Sequence, residues 1–193
     1  MKKWLVAILL LCAIPDSVLA EGGAVSAADP RAAEAGREIL RQGGSAADAA
    51  IAMMLALSVV EPQSSGIGGG GFMIHNDGRT NDVGTIDGRE TAPSSASPRL
   101  FLDAAGKPMP FIDAFAGGRS VGVPGNIALA ARASARWGKL RWPALFQPAI
   151  RLAENGYQVT PRLAEALSRL KAIWPDFPAA QAIYWQDGRP KQV

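Results

Sequence analysis

Apolar and polar positions alternate along this chain with a helical period first, a strand period next, and a helical period again. Asp29-Pro30 pairs a capping side chain with proline at a first helical position. Ala32, Ala35, Ile39 and Leu40 then fall on one face, and Glu34, Arg37, Glu38 and Arg41 on the other. Gly43-Gly44 stops that helix, and Ser45 with Asp48 three residues on makes a capping-box-like start for a second. The second helix runs to about Val60, before Glu61-Pro62, and is apolar nearly all round. It is too short for a membrane span, at roughly 24 Å from the rise per residue. The pattern predicts a fully buried helix packed between layers.

Phe72-Met73-Ile74-His75 reads as a strand, Asn76-Asp77-Gly78 as a turn, and Val83 to Asp87 as the returning strand of a hairpin. Ser94 to Pro98 reads as loop. Further helices open at Val123-Pro124-Gly125-Asn126, at Trp142-Pro143 and at Thr160-Pro161. Trp185 to Pro190 reads as a turn sequence with no closing element, which suggests an incomplete chain. The order predicts an α+β fold, or part of a layered sheet with helices on its faces. No internal repeat or low-complexity linker is visible.

Composition changes this picture mainly at the N-terminus. Lys2 and Lys3 precede an apolar run, Trp4 to Ile14, and Val18-Leu19-Ala20 resembles a small-residue cleavage site. Residues 1–20 therefore read as a cleaved export signal, with the mature chain beginning at Glu21. The expected location is periplasmic or secreted, with no membrane attachment after cleavage. Cys12 lies inside the signal, so the mature chain has no cysteine and can form no disulfide. Losing Lys2, Lys3 and Asp16 takes the formal charge from +3 to +2, too little and too scattered for a nucleic-acid partner. One histidine, His75, and no mature cysteine exclude a zinc site of the usual nitrogen and sulfur kind.

Candidate chemistry is confined to Glu61–Pro93. Gly66, Gly68 and Gly71 fit G-x-G-x-x-G, with Asp87 roughly twenty residues on. A dinucleotide site needs a strand before the glycines and a helix after them. Here a helix precedes and a strand follows, so no helix N-terminus is expected to face the turn, and a nucleotide site is rejected. The glycines then signal close backbone approach, of a ligand or of another layer. Arg89 sits at the end of the second strand, between Asp87 and Glu90. Its fork could take a substrate carboxylate bidentately, although spacing alone leans to an internal ion pair. Ser64 and Ser65 lack a nucleophile elbow and read as turn residues. His75 alternates with Met73 and reads as structural.

V-V-E-P-Q-S-S-G-I-G-G-G-G-F-M followed by I-D-G-R-E-T-A-P resembles the gamma-glutamyltranspeptidase family. So do G-G-S-A-A-D-A-A, S-V-G-V-P-G, W-G-K-L-R-W, P-A-I-R-L-A-E-N-G-Y and A-I-Y-W-Q-D-G, in order over essentially all of the mature chain. The resemblance implies a partial N-terminal-nucleophile hydrolase fold, four-layer αββα when complete. It implies a precursor that cuts itself into a large and a small subunit, which stay together as a heterodimer. The new N-terminal threonine of the small subunit attacks the γ-glutamyl amide of glutathione or a related donor, with its α-amine or water as base. The acyl group passes to water, an amino acid or a dipeptide. No metal or organic cofactor is implied. Arg89 matches the family arginine that binds the donor's α-carboxylate. Residues 21–193 match the N-terminal portion of the large subunit, so the threonine is expected beyond this chain and the chain alone is expected to be inactive. A non-catalytic periplasmic remnant and a related acylase of the same superfamily are the alternatives.

Overall fold

A computed structural model of the protein describes residues 23–170 and 173–191. The export signal and the start at Glu21 lie outside the described residues. Helix α1 spans Pro30–Arg41 and buries Ala32, Ala35 and Ile39, the face expected from its period. Asp29 caps it, accepting the Arg31 amide, and Gly43 leaves it with φ 83°. Helix α2 spans Ala46–Val60, with both arms of the Ser45–Asp48 capping box formed.

Asp29 also holds the Arg31 guanidinium, Oδ2 to Nη2 at 2.5 Å, while being only 1% exposed itself. The Arg31 hydrogen bond keeps its carboxyl below the ordinary value of 3.8, against the opposing effect of burial. A depressed folded-state pKa contributes stability above the unfolded value and loses it as pH falls through the folded value. Thermal stability is therefore expected to be flat above about pH 5 and to fall below about pH 4. Melting curves against pH should show a shallower acid decline in Asp29→Asn than in the parent chain.

The hairpin follows. Strands β1, Gly71–Asp77, and β2, Asp82–Gly88, pair antiparallel from Gly71↔Gly88 to Asp77↔Asp82. The turn lies two residues later than expected. Asn76 and Asp77 stay in the ladder, and Gly78 to Asn81 make the reversal. The reason is Asp77: its side chain accepts the Arg79 amide at 3.0 Å and its carbonyl accepts the amides of Thr80 and Asn81. Asn81 closes the turn at φ 60°.

Helix α3, Phe111–Phe115, and a 3₁₀ turn at Gly118–Ser120 cross the long connection in which the sequence marks only a loop. Helices α4, Asn126–Trp137, and α5, Trp142–Asn155, complete the core around α2. Ile39, Ile51, Leu55, Ile86, Leu129 and Leu145 meet there in one cluster. Helix α2 is thus surrounded by α1, α4 and α5. It is not buried all round: Met53, Met54, Leu57 and Val59 are half-buried, because three helices do not close a ring. The inner face of the hairpin, Met73, His75 and Ile86, packs toward α4, and His75 stacks on Trp137 with ring centroids 4.5 Å apart. Its outer face leaves Phe72 and Ile74 67% and 75% exposed.

Helix α6, Pro161–Arg169, starts on the Thr160 cap as expected. After helix α7, Pro178–Tyr184, strands β3, Trp185–Gln186, and β4, Arg189–Pro190, form a short ladder. The expected absence of a closing element is therefore corrected. Asp187 at φ 50° and Gly188 at φ 72° make the tight reversal that lets Gln186 meet Arg189. Among the described residues no helix is long and apolar enough to cross a membrane.

Candidate substrate-binding site

The glycine run is a junction between the hairpin and α4. The Gly69 carbonyl accepts the amides of Gly125 and Asn126, both at 3.0 Å. The buried Asn126 side chain returns a hydrogen bond from Nδ2 to the Gly66 carbonyl at 2.7 Å. A helix N-terminus thus does face the glycine turn, contrary to the sequence expectation. It comes from α4, some fifty-five residues on. Two of its free amides are already taken by Gly69, so it offers that much less to a phosphate. At Gly70 a side chain would sit 2.6 Å from both the Glu90 nitrogen and the Gly88 oxygen. Close approach of another backbone segment explains that bare position.

This packing brings residues 88–91 under the glycine loop and beside 122–125. Thr91 and Val123 exchange amide hydrogen bonds, the Val123 amide reaching the Thr91 carbonyl at 2.9 Å. Glu90 points back toward the loop. Its carboxyl lies below the ordinary range, first because its own amide hydrogen-bonds it, with Arg89 and the Gly70 amide adding to the effect.

Arg89 is held at two points. Its amide donates to Asp87 Oδ1 at 2.9 Å, and its Nε pairs with Glu90 Oε2 at 2.9 Å. Asp87 therefore fixes the backbone rather than the guanidinium. The Arg89 side chain stays 68% exposed. The ion-pair reading of this arginine is met through Nε, and most of its side chain remains exposed.

Arg89 lines a cavity of about 450 Å³ together with Glu90, Thr91, Phe101, Arg119 and Val121. A larger one of about 720 Å³ adjoins it through Gly68 and Glu90, walled by the glycine run, Phe72, Ile74 and Asn126. Ser64 and Ser65 border the larger cavity as turn residues, their amides bonded to the Glu61 carbonyl. Arg162 pairs with the buried Glu61 at 2.9 Å and donates to Ser64 Oγ at 3.2 Å. Sequence reasoning missed Asn126 and Arg119. The first had no signal beyond a helix start. The second had one: a single charge in G-G-R-S, directly ahead of S-V-G-V-P-G.

The gamma-glutamyltranspeptidase family model matches residues 32–193. The chain belongs to the gamma-glutamyltranspeptidase family. A glutathione hydrolase proenzyme of Bacillus subtilis (strain 168) is 47% identical over 146 residues, covering 76% of this chain and 25% of the relative. Among solved structures, the Helicobacter pylori gamma-glutamyltranspeptidase superposes with a TM-score of 0.82 at 33% identity, over 88% of this chain and 48% of that one. A cephalosporin acylase from Bacillus halodurans superposes with a TM-score of 0.67 at 32% identity, over 84% and 30%. The chain spans about a quarter of the length of the curated relatives it matches. The fold is accordingly part of the N-terminal-nucleophile hydrolase fold of the gamma-glutamyltranspeptidases, α+β in composition.

Proposed function

We propose that residues 21–193 are the N-terminal portion of the large subunit of a gamma-glutamyltransferase/glutathione hydrolase, and that Arg89 binds the α-carboxylate of its γ-glutamyl donor. The observation that carries this is Arg89, anchored through Nε and its own amide, largely exposed, and among the residues that line a cavity. A guanidinium fixed on one edge presents two parallel donors on the other, the geometry a carboxylate accepts bidentately. Family membership supports the reaction class. The nucleophilic threonine, and the rest of the donor pocket, come in this reading from a small subunit of the same precursor. A relative named as a proenzyme accords with such processing. The donor is glutathione or a related γ-glutamyl amide, and the location periplasmic or secreted after loss of residues 1–20.

Calorimetric titration of the complete two-subunit protein with glutathione tests the assignment. Arg89→Ala should weaken binding by about 1.5–3 kcal/mol, the range for a hydrogen bond to a charged group. Arg89→Lys should recover little of it, since a point charge replaces the fork. Unchanged affinity in both variants would sink the role. A second reading, an acylase acting on a β-lactam side chain, is favoured by the likeness to the cephalosporin acylase. It requires glutaryl-type amides, which lack the α-amine, to compete with glutathione on equal terms.

A further inference from the structure

Arg89 is not the only guanidinium in its cavity. Arg119 lines the same 450 Å³ space from the opposite run of chain. Gly117, at φ 93°, starts the 3₁₀ turn that carries it. Ser120 pins that turn by donating to the Phe115 carbonyl at 2.6 Å. The Thr91–Val123 bridge then holds the run against the one that bears Arg89. The partners of Arg119 are weak and uncharged: Nη1 reaches the Met109 sulfur at 2.7 Å and the Leu100 carbonyl at 3.4 Å. Among the described residues it forms no ion pair.

The cavity therefore carries two guanidiniums and one carboxylate, Glu90, among its lining residues. Glu90 is already engaged by Arg89 and by the Gly70 amide. One positive charge is left over. Arg119 itself is exposed, with Leu100, Phe101 and Val121 as apolar wall beside it. A rigid guanidinium fork with spare donors, facing a cavity of small-molecule size, suits a carboxylate better than any neutral group.

Resting on the assignment of Arg89 to the donor's α-carboxylate, we propose that Arg119 binds a second carboxylate, the one on the amine side of the γ-glutamyl amide. Arg119 is then a specificity-determining residue for the amine side of the donors already proposed, γ-glutamyl amino acids and peptides with a free C-terminus. One molecule carrying carboxylates on both sides of its amide engages both arginines at once. A γ-glutamyl alkylamide engages only Arg89.

The test is calorimetric titration of the complete two-subunit protein with γ-glutamylglycine and with γ-glutamylmethylamide. The parent chain should bind the first about tenfold more tightly, the factor expected for one charge-assisted hydrogen-bonded contact. Arg119→Ala should abolish that preference and leave methylamide binding unchanged. Arg119→Gln, which retains donors for Leu100 and Met109 but no charge, should do the same and so separates recognition from folding. Equal affinity of the parent chain for the two ligands overturns the proposal, as does a loss on both ligands alike in a folded Arg119 variant. Arg119-dependent binding of glycylglycine as tight as that of γ-glutamylglycine overturns it too, because no γ-glutamyl group is then needed. Arg89→Ala should weaken both ligands equally. Insensitivity to Arg89→Ala defeats the reading of Arg89, whereas sensitivity to Arg89→Ala without any effect of Arg119 defeats the present proposal alone.

Discussion

Gly125→Ala is expected to destabilise the fold by about 3 kcal/mol or more, at the upper end of overpacking costs. Gly125 has φ −118°, a conformation alanine adopts freely, so backbone preference is not the cause. The obstacle is space. A methyl group there would lie 2.6 Å from the Gly88 carbonyl carbon, closer still to its oxygen, and 3.2 Å from the Arg89 oxygen. These are backbone atoms at the end of a paired strand, and they cannot rotate aside as a side chain would. Relief requires α4 to part from the hairpin, which breaks the Gly125 and Asn126 amide bonds to Gly69. The midpoint should drop by roughly 6–12 °C for a chain of this size, readable by circular dichroism. Because Arg89 rides on the displaced segment, glutathione binding should weaken as well. A parent-like melting curve would show that the junction is looser than its geometry.

Asp48→Ala is expected to cost about 3 kcal/mol, through donors left unsatisfied in the core. Asp48 is fully buried. One oxygen, Oδ2, accepts from the Ser45 amide and hydroxyl and from the amides of Lys139 and Leu140, at 2.8 to 3.2 Å. It therefore starts α2 and ties that start to the linker between α4 and α5. Its other oxygen, Oδ1, has no hydrogen-bond partner. That asymmetry gives a control. The Asp48→Asn change keeps one side-chain oxygen for the four donors but places a buried amide nitrogen where Oδ1 has no partner. It should thus cost about 1–2 kcal/mol, less than Asp48→Ala, from lost charge assistance and the new unpaired donors. Equal losses in the two variants, measured by denaturant unfolding, would mean that charge rather than acceptor geometry matters.

Helices α1, α2, α4, α5 and α6 could be read from the chain because their signals are local: caps at Asp29, Ser45 and Thr160, the Val123-Pro124-Gly125-Asn126 start, and prolines at first-turn positions. The hairpin was legible in its alternation, but its turn was displaced by the Asp77 side chain, a choice between adjacent polar residues that periodicity does not make. Helix α3 and the Gly118–Ser120 turn carried no sustained period, being too short to repeat one. The site divides in the same way. Arg89 stood out through its place in a motif, whereas Arg119 and Asn126 matter only because the chain returns to the glycine loop. Nothing local announces a contact made sixty residues away.

The four adjacent glycines look like one unit in the sequence, yet in space they are four different positions. An added carbon at Gly68 meets nothing within 4 Å, at Gly69 and Gly71 it meets neighbours at 3.4 and 3.3 Å, and at Gly70 it collides with backbone. None of the four has a positive φ. A library in which every position is replaced by every amino acid would therefore resolve the run into separate answers. Position 68 should accept small residues at little cost to folding, and positions 69 and 71 alanine or serine at most. Position 70 should behave instead like its spatial partner 125, far along the chain. The unit of tolerance is the seam between hairpin and helix, and the repeat of letters only happens to cross it.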